Sequence, residues 1–112
     1  MKIEIFVSNA CPHREAAKQL VDEAAQEAGV QETPAVITVN DYEDAKAKRM
    51  FGSPTVRVNG MDIEYAEREP EEFTTGCRFY NSAEGWKPLP RKELILRGIE
   101  VARAREARAA QG

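Results

Sequence analysis

A chain of 112 residues with 42% hydrophobic and 31% charged side chains has the size and make-up of one globular domain around one core. A net charge of -3, with glutamates interspersed among the C-terminal arginines and no aromatic-basic platform, argues against nucleic acid as a partner. At this length folding buries roughly 60–70% of the surface of the unfolded chain, so stability requires neither a metal nor a disulfide staple, and the cysteines at positions 11 and 77 are free for chemistry.

The chain opens on a run in which Ile3, Ile5 and Val7 alternate with Lys2, Glu4 and Phe6, the period of a strand. The run is too short and too charged for a signal peptide core or a membrane span, which predicts a cytoplasmic protein with no membrane partner. In a reducing compartment a cysteine pair is more often catalytic or metal-binding than structural. Residues 8–12 break the alternation. Ala16, Ala17, Leu20, Val21, Ala24, Ala25 and Ala28 then recur at helical spacing, with Pro12 at the first helical position and Gly29 as the stop.

The β-branched run at residues 35–39 predicts a strand of the kind buried in a parallel sheet. Asn40 and Asp41 offer caps for a charged helix through Glu43, Ala47 and Met50, closed by Gly52 and Pro54. Asn59-Gly60 between the runs at 55–58 and 61–64 predicts a type I′ hairpin, because both central residues need positive φ. Residues 65–89 have little periodicity and read as a long irregular connection with one ordered piece at 77–80, a length usually reserved for functional or mobile loops. Leu94, Ile95, Ile99 and Ala102 share a helical face, and the arginine-rich end at 103–112 is polar enough to fray.

The order βαβαββα, with a right-handed crossover between the first two strands and an antiparallel hairpin extending the same sheet, predicts one α/β domain over residues 1–112. Its centre is a mixed sheet of four strands flanked by helices. This order resembles the thioredoxin-like fold, whose members carry a reactive cysteine between the first strand and first helix and a proline, typically cis, before the hairpin. Cys11 and Pro54 occupy those positions. The chain is also similar to a group of small bacterial thioredoxin-like proteins labelled alkylmercury lyase-like, some of whose members carry selenocysteine at the reactive position. That likeness rests on Cys11-Pro12, on the block from Gly52 to Gly60 followed by Asp62, and on Gly76-Cys77-Arg78-Phe79-Tyr80, and it covers the chain to about Leu96. The resemblance implies thiol chemistry on a thioredoxin scaffold. The chain departs from dithiol thioredoxins in one respect: Cys-x-x-Cys is replaced by Cys11-Pro12-His13-Arg14, so a local disulfide is impossible.

At a helix start, first-turn N–H groups and the helix dipole favour a thiolate at Cys11, and His13 and Arg14 add positive potential if their side chains fold back. The bland alternative makes Cys11 a small cap residue. His13, the only histidine, cannot anchor a standard zinc site alone and is otherwise a surface residue. Arg14 is a candidate to orient a substrate carboxylate, or is simply solvated. Cys77 is either a resolving thiol brought back over Cys11 or a buried apolar cysteine beside Phe79 and Tyr80. A cis bond at Pro54 would leave the backbone of Ser53 open to pair with a bound substrate, and the resemblance implies such a bond, with Thr55 packed beside Cys11. Trp86 either caps a pocket or covers the core edge.

Two functions follow. The first is a thiol-disulfide or peroxide-type oxidoreductase with Cys11 attacking and Cys77 resolving. It needs no cofactor beyond an external reductant, and its partners are thiol or disulfide substrates, with glutathione or a thioredoxin-type reductant as candidates. The second is soft-metal or organomercury binding by the same two sulfurs. A thioredoxin-like module without turnover is a third reading, and oligomeric state is left open.

Overall fold

Alternation along the first strand divides the molecule into two layers. In the computed structural model, which describes residues 1–111, β1 spans Ile3–Ser8. Ile3, Ile5 and Val7 face one way and are buried with Val56 and Val58 against the alanine-rich stripe of α1 (Arg14–Glu27) and the Ile95, Ile99 and Ala102 stripe of α3 (Lys92–Gln111). Phe6 faces the other way and is buried with Val39, Ala45 and Met50 beneath α2 (Tyr42–Lys48). Burying each of the large aliphatic side chains contributes about 1.5–3 kcal/mol.

β1 pairs in parallel with β2 (Ala35–Val39), from Glu4 opposite Ala35 to Ser8 opposite Val39. On its other side it pairs antiparallel with the first strand of the hairpin, Ile3 opposite Val58 and Phe6 opposite Thr55. The chain is thus α/β, with three helices and a mixed four-stranded sheet. β2 lies at the sheet edge, with Ala35 exposed, residues 36–38 half-buried and only Val39 buried, where its composition predicts a buried strand. Asn59 and Gly60 take the positive φ the hairpin turn requires, +52° and +82°. The Asn59 side chain also accepts the Lys2 N–H at 2.8 Å, tying the turn to the chain start. No helix among the described residues is long and apolar enough to cross a membrane.

Four stretches differ from the sequence expectation. The second helix ends at Lys48, because Arg49 adopts a left-handed conformation (φ 54°) that turns the chain; Met50 lies beyond it, and a short strand, β3 (Phe51–Ser53), follows. The hairpin partner of β4 (Thr55–Val58) is only two residues long, β5 (Met61–Asp62), where the Asp62 carboxylate bends the chain by accepting the N–H groups of Glu64 and Tyr65 at 2.9 and 3.0 Å. The connection from 65 to 89 is largely ordered: β6 (Thr74–Cys77) lies parallel on β3, and β7 (Tyr80–Ser82) and β8 (Gly85–Lys87) form an antiparallel ribbon. α3 continues as helix to Gln111 where fraying is expected from Arg103. Its arginine-rich end is tethered: Arg103 donates to the Ala28 carbonyl, Arg105 pairs with Glu67, and Glu106 accepts from Asn59 at 2.8 Å.

Candidate active site

β1 ends at Ser8, and the next residues turn tightly back. The Cys11 N–H donates to the Ser8 carbonyl at 3.1 Å, and the Cys11 carbonyl accepts the N–H of Arg14, the first residue of α1, at 3.4 Å. Cys11 is a free, half-buried thiol packed against the core under α1. The helix starts two residues later than the sequence predicts, so exposed Pro12 precedes the half-buried N-cap residue, His13, instead of opening the helix. His13 makes no side-chain cap bond, which leaves first-turn amides without that acceptor. Arg14 reaches from the helix start to β2. One of its guanidinium nitrogens donates to the Thr38 hydroxyl of β2 at 2.9 Å, which anchors the side chain along the sheet edge.

The Ser53–Pro54 bond is cis. The Ser53 hydroxyl accepts the Ser8 N–H at 3.0 Å, so the proline loop and the thiol turn share Ser8. Three expected substrate contacts are otherwise occupied. Thr55 is fully buried, its hydroxyl donating to the Gly52 carbonyl at 2.6 Å and accepting the Phe51 N–H at 3.1 Å, so it closes the loop internally and has no free group for a substrate. Pro54 is buried, and its carbonyl accepts the Tyr80 hydroxyl at 2.6 Å. Ser53 is buried as well. Its backbone is not open for a substrate, because it pairs with Cys77 of β6 and its carbonyl accepts the Arg78 N–H at 3.1 Å.

Cys77 is therefore an exposed free thiol on a strand beside the cis-proline loop, and the buried apolar alternative does not hold. What pins it there is the residue that follows. Arg78 is almost wholly buried and gives two hydrogen bonds to Asp62 (2.7 and 2.9 Å), one to Glu64 (3.2 Å) and one to Thr55 (3.3 Å). The rings of Tyr80 and Tyr65 flank its guanidinium at 4.5 and 4.7 Å. Burial works against its charge, yet the bonds it donates to Asp62 and the neighbouring acidic groups outweigh burial and hold it firmly protonated. Burial likewise pushes the Tyr80 phenol up, so it stays a hydrogen-bond donor to Pro54.

A second cluster ties β4 and the end of α2 to the loop that leads into β6. Arg57 is buried and holds Glu69 through two bonds of 2.9 Å, and Arg49 adds a third of 2.9 Å. Arg57 keeps the Glu69 carboxyl down at about 2, with Arg49 assisting against the opposing effect of burial. Gly52 allows the close approach of the two strands. Its φ is +111°, and a Cβ there would lie 2.7 Å from the Cβ of Arg78.

Hydrogen bonds thus link Cys11, Ser8 and Ser53 around the cis-proline loop, and the β3–β6 pairing sets Cys77 opposite Ser53. Over 68 residues the chain is 37% identical to a thioredoxin of Methanocaldococcus jannaschii, a match that covers 58% of this chain and 76% of that relative. The chain belongs to the thioredoxin family. No family model matches it, and no solved structure does. Arg14, anchored to Thr38, stands where the second sulfur of a Cys-x-x-Cys motif would.

Ser8, Asp62, Arg78 and Tyr80 were not among the expected site residues. Asp62 and Arg78 stand out in sequence as charges within apolar or aromatic runs, a pattern compatible with a buried pair, but nothing local connects one to the other. Trp86 neither caps a pocket nor covers the core: it is 67% exposed on β8. Among the described residues no group of three or more His, Cys, Asp and Glu side chains is arranged to hold a metal.

Proposed function

We propose that this thioredoxin-family chain is a thiol-disulfide oxidoreductase in which Cys11 attacks and Cys77 resolves. The observation that carries the reading is the pairing of Cys77 with Ser53, the residue whose hydroxyl also holds the turn bearing Cys11. In the first step the Cys11 thiolate attacks one sulfur of a disulfide, forming a mixed disulfide and releasing the other half as a thiolate. Cys77, deprotonated, then attacks the Cys11 sulfur, forming the intramolecular disulfide and releasing the second half. The substrate gains two electrons and the protein loses two. An external thiol, glutathione or a thioredoxin-type reductant of a reducing compartment such as the cytoplasm, returns both cysteines to thiols. Peroxide enters the same cycle by oxidising Cys11 to a sulfenic acid, from which Cys77 displaces water.

Mass spectrometry of the reduced protein after treatment with oxidised glutathione tests this. The wild type should lose two hydrogens and carry no adduct, Cys77→Ser should retain one glutathione on Cys11, and Cys11→Ser should form no intramolecular bond. A stable glutathione adduct on wild-type Cys11, with Cys77 untouched, overturns the two-cysteine scheme. The soft-metal reading, including the organomercury chemistry suggested by the alkylmercury lyase-like resemblance, instead requires one Hg(II) bridging both sulfurs without disulfide formation. A module without turnover leaves both thiols unchanged under every reagent.

A further inference from the structure

Resting on the oxidoreductase reading, we infer that β6 closes the edge beside the cis-proline loop to extended polypeptides, so that the disulfide substrate is a low-molecular-mass one. A polypeptide substrate held beside a strand is bound by main-chain hydrogen bonds to a free sheet edge. Here the edge of β3 is already paired: Phe51 with Thr74 and Ser53 with Cys77. The Met50 and Ser53 carbonyls accept the Thr74 and Arg78 N–H groups, both at 3.1 Å.

Displacing this strand is costly, because it is anchored at its exit. Arg78 holds Asp62 in a bidentate pair inside the protein, and Tyr80 donates to the Pro54 carbonyl at 2.6 Å. A methyl on Gly52 would lie 2.7 Å from the Cβ and 3.1 Å from the Cα of Arg78, so no second strand fits in the gap. Ser53, Pro54 and Thr55 are all buried under this cover. A small disulfide needs none of these groups. It requires only a path to the half-buried Cys11 sulfur, and after attack its departing half is free to diffuse past exposed Cys77.

The test compares second-order rates of the reduced protein with bis(2-hydroxyethyl) disulfide and with the interchain disulfides of insulin, each divided by the rate of dithiothreitol on the same compound. Insulin should lag the small disulfide by about tenfold or more, as expected if two strand hydrogen bonds must first be given up. Thr74→Pro removes the N–H bonded to Met50 and should narrow that gap while leaving the small-disulfide rate unchanged. Arg78→Lys, which loosens the exit anchor, should also narrow it. Equal normalised rates for insulin and the small disulfide in the wild type overturn this inference and leave the oxidoreductase reading standing. A gap that neither variant narrows overturns the assignment to β6. Failure of Cys11 to react with either compound overturns the oxidoreductase reading itself, and this one with it.

Discussion

Arg78 and Asp62 form a bidentate ion pair, at 2.7 and 2.9 Å, in a region from which both side chains are shielded almost completely from water. The pair joins the two parts of the chain that shape the site: Asp62 ends the hairpin, and Arg78 follows Cys77. Removing Asp62 leaves the buried Arg78 guanidinium with only the partly exposed Glu64 to balance it, and removing Arg78 leaves the Asp62 carboxylate buried without its cation. Asp62→Asn keeps an oxygen for the Glu64 and Tyr65 amides and removes the charge, so it isolates the ion pair from the turn. It should cost about 3 kcal/mol or more in urea denaturation. Combining it with Arg78→Met should cost clearly less than the two single changes together, because the double variant leaves no fully buried charge, only the partly exposed Glu64.

Gly52 and Gly60 both have positive φ but differ in their surroundings. Gly60→Ala meets open space, so its cost is confined to the backbone, about 1–2 kcal/mol. Gly52→Ala adds a collision with Arg78 Cβ, 2.7 Å from the new methyl, and should cost more than Gly60→Ala in thermal or chemical denaturation. It should also speed alkylation of Cys77 by iodoacetamide, since β6 must move to admit the methyl. Equal destabilisation by the two changes would show that the strands relax apart freely.

The Glu69 carboxyl is held at about 2, below its ordinary 4.5, chiefly by the Arg57 guanidinium. Its folded value is below its unfolded one, so its contribution to stability is complete above pH 4.5 and is lost as pH falls from there toward about 2. Glu69→Gln should therefore be less stable than the wild type at pH 7, and the difference should shrink through that acid window. Stability measured by urea titration at a series of pH values checks this. A constant difference across the window would mean that Glu69 acts by packing and not by charge.

A disulfide between Cys11 and Cys77 would close a loop of roughly 65 residues, which restricts the unfolded chain by about 4 kcal/mol, less any strain introduced in the folded state. The oxidised wild type should melt above the reduced protein, whereas Cys77→Ser should melt at one temperature under both conditions. Differential scanning calorimetry with and without dithiothreitol reads this directly. An oxidised form that melts lower would show that closing the bond distorts the cis-proline loop.

Much of the scaffold was legible along the chain because its causes are local. Strand alternation in β1 separates Ile5 from Phe6, the alanine spacing of α1 sets its inward stripe, and Asn59-Gly60 dictates the hairpin turn. Each depends on residues a few positions apart, and the order of such elements already restricts the topology. Cys11 at the strand-to-helix turn and Pro54 ahead of the hairpin follow from the same reading. The helix boundaries were less legible, because the stop at Lys48 depends on one residue, Arg49, taking a left-handed conformation that its side chain does not announce.

The stretch from Tyr65 to Leu89 shows where local reasoning ends. Its acidic residues, glycines and prolines describe a solvated loop when read in order, since a lone charge is stable only in water. Folding brings Arg57 to Glu69 and Arg78 to Asp62, and each charge, once paired, is compatible with burial. The sequence by itself determined the sheet, the helices and the position of one thiol, because those are set by periodicity and turn chemistry among near neighbours. Only the tertiary structure decided that Cys77 lies beside Ser53 and that the edge at the cis proline is covered, because both depend on ion pairs between residues remote in sequence, whose worth exists only after the chain has closed around them.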